Sequence, residues 1–154
     1  MQEPIDAVIE RYRNLEGPLL PILHGIQDAL GYVPSHAVPV IATALNLSNA
    51  EVHGVISFYH DFRTEPGGRW RIQVCCAEAC QARGSRALEA HAARSLKIDF
   101  GATSSDGSVT LERVYCLGNC ACGPSVRIGD DVHGRVDPAL FDQLVRAAAG
   151  EEAP

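Results

Sequence analysis

An N-terminal helical bundle followed by an α/β sandwich with a mixed sheet is the fold class this sequence predicts, on three observations. Apolar residues recur at one-face helical spacing through residue 56. After Pro66-Gly67-Gly68 the pattern turns to strand-like alternation mixed with helical stretches. All six cysteines fall after this change of pattern, in two tight groups. The reading divides the chain into a bundle over 1–66 and a sandwich over 67–154.

The first helix carries Ile5, Val8, Ile9 and Tyr12 on one face. Leu19, Leu23, Ile26 and Leu30 mark a second, stopped by Gly31 as a C-terminal cap. Val38, Ile41, Ala42 and Leu45 mark a third, with Ser35 before it and Pro39 tolerated in its first turn. Ser48-Asn49-Ala50-Glu51 is a capping box that opens a fourth, bearing Val52, Val55 and Ile56. In the second half Trp70 to Val74 alternates as a strand ending at Cys75, and Arg83 to Leu96 has the composition of a helix. A turn at Ser104-Ser105-Asp106-Gly107 leads into a strand from Val109 to Tyr115 that ends at Cys116. Ser125 to Ile128 and Val132 to Val136 predict a hairpin through Gly129-Asp130-Asp131, and Pro138 to Ala149 a closing helix. Glu151-Glu152 reads as a solvated end.

The 154 residues are 46% apolar, with a mean hydropathy of -0.02, the balance of a packed globular protein. No apolar run approaches the ~18–20 residues of a membrane span, and Met-Gln-Glu-Pro-Ile-Asp has no basic flank or apolar leader, so the expected location is the cytoplasm, with no membrane partner. Net charge is -6 with a single lysine, which disfavours a phosphate-binding surface. In a reducing compartment, six cysteines point to metal or redox chemistry rather than disulfides.

One pair from each cysteine group gives Cys75-x4-Cys80, a gap of 35 residues, and Cys116-x3-Cys120, all at one end of the predicted sheet. A [2Fe-2S] cluster needs four soft thiolates, two per iron, and loops at strand ends can wrap it from both sides. Structural zinc is the alternative, although its knuckles usually have C-x2-C spacing. A redox dithiol needs C-x-x-C, which is absent, and a Rieske-type site needs histidines, whereas His91 and His133 lie outside the cysteine loops. An all-cysteine cluster carries about -2, or about -3 when reduced, so backbone N–H groups must face the sulfurs. Gly118, Gly123 and a helix N-terminus after Cys80 are the expected sources. Cys76 and Cys122 are left as packed residues or supporting thiols.

At these residues the chain resembles the thioredoxin-like [2Fe-2S] ferredoxin component of complex I, the E-subunit family of NADH dehydrogenase. The resemblance rests on Val74-Cys75 through Cys80 with Gly84, on Tyr115-Cys116-Leu117-Gly118-Asn119-Cys120 with Gly123-Pro124, and on Gly54-Val55-Ile56-Ser57-Phe58-Tyr59. It implies a thioredoxin-like sandwich and Cys75, Cys80, Cys116 and Cys120 as the cluster ligands. Ala79, the stretch Asn119 to Val126 and the short C-terminus resemble most the gamma subunit of soluble NAD-dependent molybdenum formate dehydrogenase, with subunits of complex I and of NAD-linked hydrogenases as relatives. The resemblance then implies partners: a subunit with FMN, NAD and further iron-sulfur clusters, and a catalytic subunit with the molybdenum cofactor. This chain has no strand-linked G-x-G-x-x-G, phosphate loop, nucleophile elbow or H-E-x-x-H, so catalysis and nucleotide binding are expected elsewhere.

A reading of another class is an iron-sulfur redox-sensing DNA-binding protein, because Ile41 to Ile56 scans as a helix-turn-helix. Charge opposes it. Residues 36–62 contain no Lys or Arg, and residues 1–66 hold three basic against eight acidic residues. The bundle is better read as a docking module, with Phe58, Tyr59 and Phe62 either meeting a partner or packing inside the chain.

Overall fold

The computed structural model describes residues 2–150; the acidic end at Glu151-Glu152 lies outside the described residues. The chain forms two compact units, 1–66 and 67–154, each with its own apolar core.

In the first unit α1 spans Gln2–Tyr12, α2 Leu19–Leu30, α3 Ala37–Leu45 and α4 Asn49–Phe58. Their inward stripes give a core that includes Ile5, Ile9, Ile22, Leu23, Ile26, Ile41, Val52 and Ile56. Gly25 lets α1 and α2 meet: a Cβ there would lie 2.8 Å from Val8 Cγ1 and 2.9 Å from Tyr12 Cε2. Gly31 ends α2 in the left-handed conformation at φ 81°. The capping box forms in full, since the Glu51 N–H donates to Ser48 Oγ while the Ser48 N–H donates to Glu51 Oε2. Ser35 does not cap α3; a turn carries the chain into it, and His36 precedes it with helical dihedrals and no side-chain cap.

The second unit is a four-stranded mixed sheet with β1 Trp70–Cys75, β2 Val109–Val114, β3 Val126–Ile128 and β4 Asp131–His133, in the order β2-β1-β3-β4. β1 runs parallel to β2, with Trp70 opposite Val109 and Cys75 opposite Val114, and antiparallel to β3. It is buried along almost its whole length, as a central strand covered on both faces should be. Three further helices, α5 Glu78–Gln81, α6 Ser85–Leu96 and α7 Pro138–Gly150, complete the unit. Leu88 and Ala92 of α6 and Phe141 and Ala148 of α7 share the core of the sheet with Ile72, Val74, Leu111 and Val126.

Two expectations change here. The helix over 83–96 begins at Ser85, because Gly84 sits at φ 97° and the N–H groups of Arg83 and Gly84 close back on the carbonyls of Cys80 and Gln81. Cys80 is therefore inside a separate one-turn helix rather than on a loop. The last strand stops at His133 instead of Val136, since Arg135 and Val136 turn their N–H groups to the carbonyls of Cys122 and Pro124. These residues brace the second cysteine loop.

Candidate metal centre

Parallel pairing of β1 and β2 is what brings the two cysteine groups together, because both strands deliver their C-terminal ends to the same edge of the sheet. Cys75 is the last residue of β1, and the Cys76 N–H extends the ladder to the Val114 carbonyl at 2.8 Å. Beyond Val114 the chain turns sharply at Cys116, with φ 87°, and at Gly118, with φ 76°. It then runs through a 3-10 turn over Cys120–Cys122. The Cys75 N–H donates to the Ser125 carbonyl at 3.0 Å, which draws the far end of this loop against β1.

Four thiols gather as two pairs. Cys75 and Cys80 are buried, and each shifts the titration of the other. Cys116 and Cys120 are exposed, with their sulfurs 3.5 Å apart. The backbone of Cys116 and Leu117 favours the ionised form of Cys75, which ties the second cysteine loop to the first pair. The Gly118 N–H points at Cys116 Sγ from 3.4 Å.

Charge is managed unevenly within the pairs. Burial pushes the Cys75 thiol up, but the bonds it receives from the Ala77 backbone, from Cys80 and from the second loop outweigh this and hold it below the ordinary thiol value. Cys80 is raised by burial and by giving its proton to Cys75, partly offset by Ser125. Cys120 is raised chiefly by its hydrogen bond to Cys116.

Backbone approach is close enough to matter at Gly123. A Cβ there would lie 3.1 Å from Cys80 Sγ and 3.3 Å from Arg83 Cδ, so this glycine leaves space beside the inner pair. The N–H of Ala77, at the start of α5, faces Cys75, in place of the expected helix N-terminus after Cys80. The two remaining cysteines stand apart. Cys76 is buried with its thiol on the Val74 carbonyl at 3.3 Å, and burial together with the Glu89 carboxylate pushes it up to about 12. Cys122 is partly exposed, and its carbonyl carries the Arg135 brace. His91 is engaged with Asp142 at 2.8 Å.

Sequence reasoning missed two supports. Ser125 is buried, its carbonyl accepts from the Cys75 N–H, and its polar groups favour the ionised form of Cys80. Gly134 leaves room for the second loop, since a Cβ there would lie 2.8 Å from the Cys122 carbonyl. The small residues at both positions were visible, but their partners are distant in sequence.

Two sulfurs for each of two irons is the donor set a [2Fe-2S] cluster asks of a protein, and the two thiol pairs, with backbone N–H groups turned toward them, fit it. Among the described residues no three His, Cys, Asp or Glu side chains form one tight group, so the donors stand as two pairs.

The chain has relatives along nearly its whole length. The chain is 36% identical to the NADH-quinone oxidoreductase E-subunit 2 of Rhizobium meliloti (strain 1021), over 99% of this chain and 90% of that protein. It is 35% identical to the HndA subunit of the NADP-reducing hydrogenase of Solidesulfovibrio fructosivorans, over 89% of this chain and 80% of that protein. The structure of an NAD+-reducing [NiFe]-hydrogenase in the H2-reduced state matches with a TM-score of 0.74 and 26% identity, across 86% of this chain but only 22% of that longer one. With the family model of the thioredoxin-like [2Fe-2S] ferredoxins matching residues 5–149, this chain belongs to that family.

Proposed function

We propose that the chain holds one [2Fe-2S] cluster on Cys75, Cys80, Cys116 and Cys120 and serves as the electron-transfer subunit of a multi-subunit NAD-linked oxidoreductase. The observation that carries this reading is the convergence of two thiol pairs on one edge of the sheet. When bound, such a cluster accepts and releases one electron at a time. The protein's part is to fix the sulfurs rigidly, to aim the N–H groups of Ala77 and Gly118 at them, and to leave Cys116 and Cys120 exposed on the side where a donor or acceptor can approach.

Within that class we assign the chain to the gamma subunit of a soluble NAD-dependent molybdenum formate dehydrogenase, supported by Ala79 and by the stretch Asn119 to Val126. Its partners are then an iron-sulfur subunit with FMN and NAD and a catalytic subunit with the molybdenum cofactor, all in the cytoplasm. The equivalent subunit of a complex I or of an NAD-linked hydrogenase is the competing assignment. The bundle serves as the docking module. Phe62 is buried in its core and stacks near His24, with ring centroids 4.8 Å apart, whereas Phe58 is 73% exposed and Tyr59 is also exposed. These two rings border an apolar groove lined by Leu19, Leu47 and Val55.

Two measurements test the proposal. Iron, labile sulfide and the EPR spectrum of the reduced chain should report one [2Fe-2S] cluster; stoichiometric zinc without iron refutes it. Capture of the tagged chain from its native host should bring down a flavin- and molybdenum-containing complex that reduces NAD with formate. Recovery of a membrane complex I or of a hydrogenase instead rejects the formate dehydrogenase assignment. Phe58→Ala should weaken that capture while leaving the iron content unchanged.

A further inference from the structure

Arg83 stands beside the inner pair with a charge that no protein carboxylate neutralises. Its N–H closes back on the Cys80 carbonyl at 3.1 Å, which fixes the backbone next to the thiol. Its side chain then runs along Gly123: a Cβ built on that glycine would lie 3.1 Å from Cys80 Sγ and 3.3 Å from Arg83 Cδ. Sulfur and side-chain stem therefore flank one point. The guanidinium begins one bond beyond Cδ, so whatever its last torsions it stays inside the ~8–10 Å Debye length of physiological salt, measured from Cys80 Sγ. Among the described residues Arg83 forms no ion pair, whereas Arg113 is bonded to Glu89. The residue is exposed, so its influence on the site is that of a solvated charge at short range.

We propose that Arg83 is the charge that raises the reduction potential of the site, its guanidinium favouring the state that holds one more electron. The proposal rests on the cluster reading above and deepens it. A [2Fe-2S] site on four thiolates carries about -2 when oxidised and about -3 when reduced. A positive charge within a Debye length attracts the second state more than the first, by its interaction with one extra unit of charge. Removing it therefore lowers the potential. At this range, in a dielectric between those of protein and water, the loss is expected to change the reduction equilibrium about threefold, or about 28 mV for a single electron. Reversing the charge should change it about tenfold, or about 59 mV. Gly123 has a part in this, because a side chain there would crowd the arginine stem away from the sulfur.

The test compares the full-length wild-type chain with Arg83→Gln, Arg83→Glu and Arg83→Lys, each titrated against reference redox dyes with the EPR signal of the reduced cluster as the readout. At low salt, with iron content unchanged, the Gln chain should reduce about threefold less readily and the Glu chain about tenfold, while the Lys chain stays within about 1.5-fold of wild type. At about 1 M salt, where the Debye length is ~3 Å, the Gln and Glu differences should both fall below about twofold. Arg94→Gln removes the same charge ~13 Å farther along α6 and should leave the potential within about 1.5-fold at either salt. Unchanged potentials in the Gln and Glu chains would overturn the proposal alone. Shifts that persist undiminished in high salt, an equal shift in Arg94→Gln, or an Arg83→Gln chain that cannot hold iron would overturn it too. A wild-type chain without a [2Fe-2S] signal would overturn the cluster reading and this proposal with it.

Discussion

The two thiol pairs are alike in composition and unlike in support. Cys75 and Cys80 are buried, one at the end of the central strand and the other within α5, with Ser125 and Gly123 against them. Cys116 and Cys120 are exposed, on a loop whose shape depends on two positive-φ residues and on braces from residues 135 and 136. The difference teaches that the site has a built side and an open side. The inner pair is positioned by the same packing that holds the sheet together, whereas the outer pair is positioned by backbone conformation. An electron partner is served by that division, since rigidity sits on one side and access on the other.

Serine at each position proposed as a ligand gives the strongest way to break the comparison. Cys75→Ser and Cys116→Ser should both lose or strongly perturb the cluster, because an iron loses a thiolate in each case. The metal-free proteins should differ, with Cys75→Ser losing about 1–3 kcal/mol of folding stability from a hydroxyl in a buried site and Cys116→Ser changing by less than about 0.5 kcal/mol. Urea denaturation of the two metal-free variants checks this. Equal destabilisation would remove the distinction between a built and an open side.

Glycine substitutions sharpen it at a smaller scale. Gly123→Ala places a methyl 3.1 Å from Cys80 Sγ and should lower iron incorporation through crowding of the inner pair. Gly118→Ala meets nothing within 4 Å but must hold φ 76°, so it should cost about 1 kcal/mol of backbone strain and loosen the outer loop. Iron release to a chelator, followed by absorbance, should be faster in both, with the larger effect in Gly123→Ala.

Cys76→Ser tests whether closeness in sequence to a ligand is enough to matter. The thiol is bonded to the Val74 carbonyl, so a hydroxyl should replace it at a cost of about 1 kcal/mol and the iron content should stay at the wild-type level. Loss of iron in Cys76→Ser with retention in Cys75→Ser would shift the ligand register by one residue.

The smallest expected effect lies away from both pairs. Asp142 accepts from His91 and Ser95, and the His91 bond is the main cause that holds its carboxyl below the ordinary value of 3.8. A depressed folded-state value means the stabilisation is present above the unfolded value and is lost as pH falls through the folded one. The stability difference between wild type and Asp142→Asn should therefore shrink as pH falls below about 4. A difference that instead grew between about pH 4 and pH 2 would contradict this sign.

Much of the molecule is legible in its sequence. The helical stripes of α1 to α4 and the capping box at Ser48 follow from local spacing, and spacing is a property the chain carries openly. The cysteine pairs are legible because their chemistry resides in the side chain. What stays hidden depends on partners far apart in sequence. Gly84 interrupts a stretch whose helix formers argue for continuity. Arg135 leaves the β4 register to hold the Cys122 carbonyl. The unequal burial of the two pairs could not be read either, since each follows a strand in the sequence and only the sheet order makes one strand central.

The parallel pairing of β1 and β2 also gives the site a part in the life of the fold. Parallel neighbours cannot be joined by a tight turn, and here the crossover between Cys75 and Val109 includes α5 and α6. A cluster held on the proposed cysteine pairs would close that crossover, shrinking the unfolded ensemble much as a cross-link over a long loop does. Because the donors come together only in the folded sheet, metal affinity and folding are linked, and each strengthens the other. The loaded chain is then expected to melt and to bleach in a single event, while the iron-free chain unfolds at lower temperature.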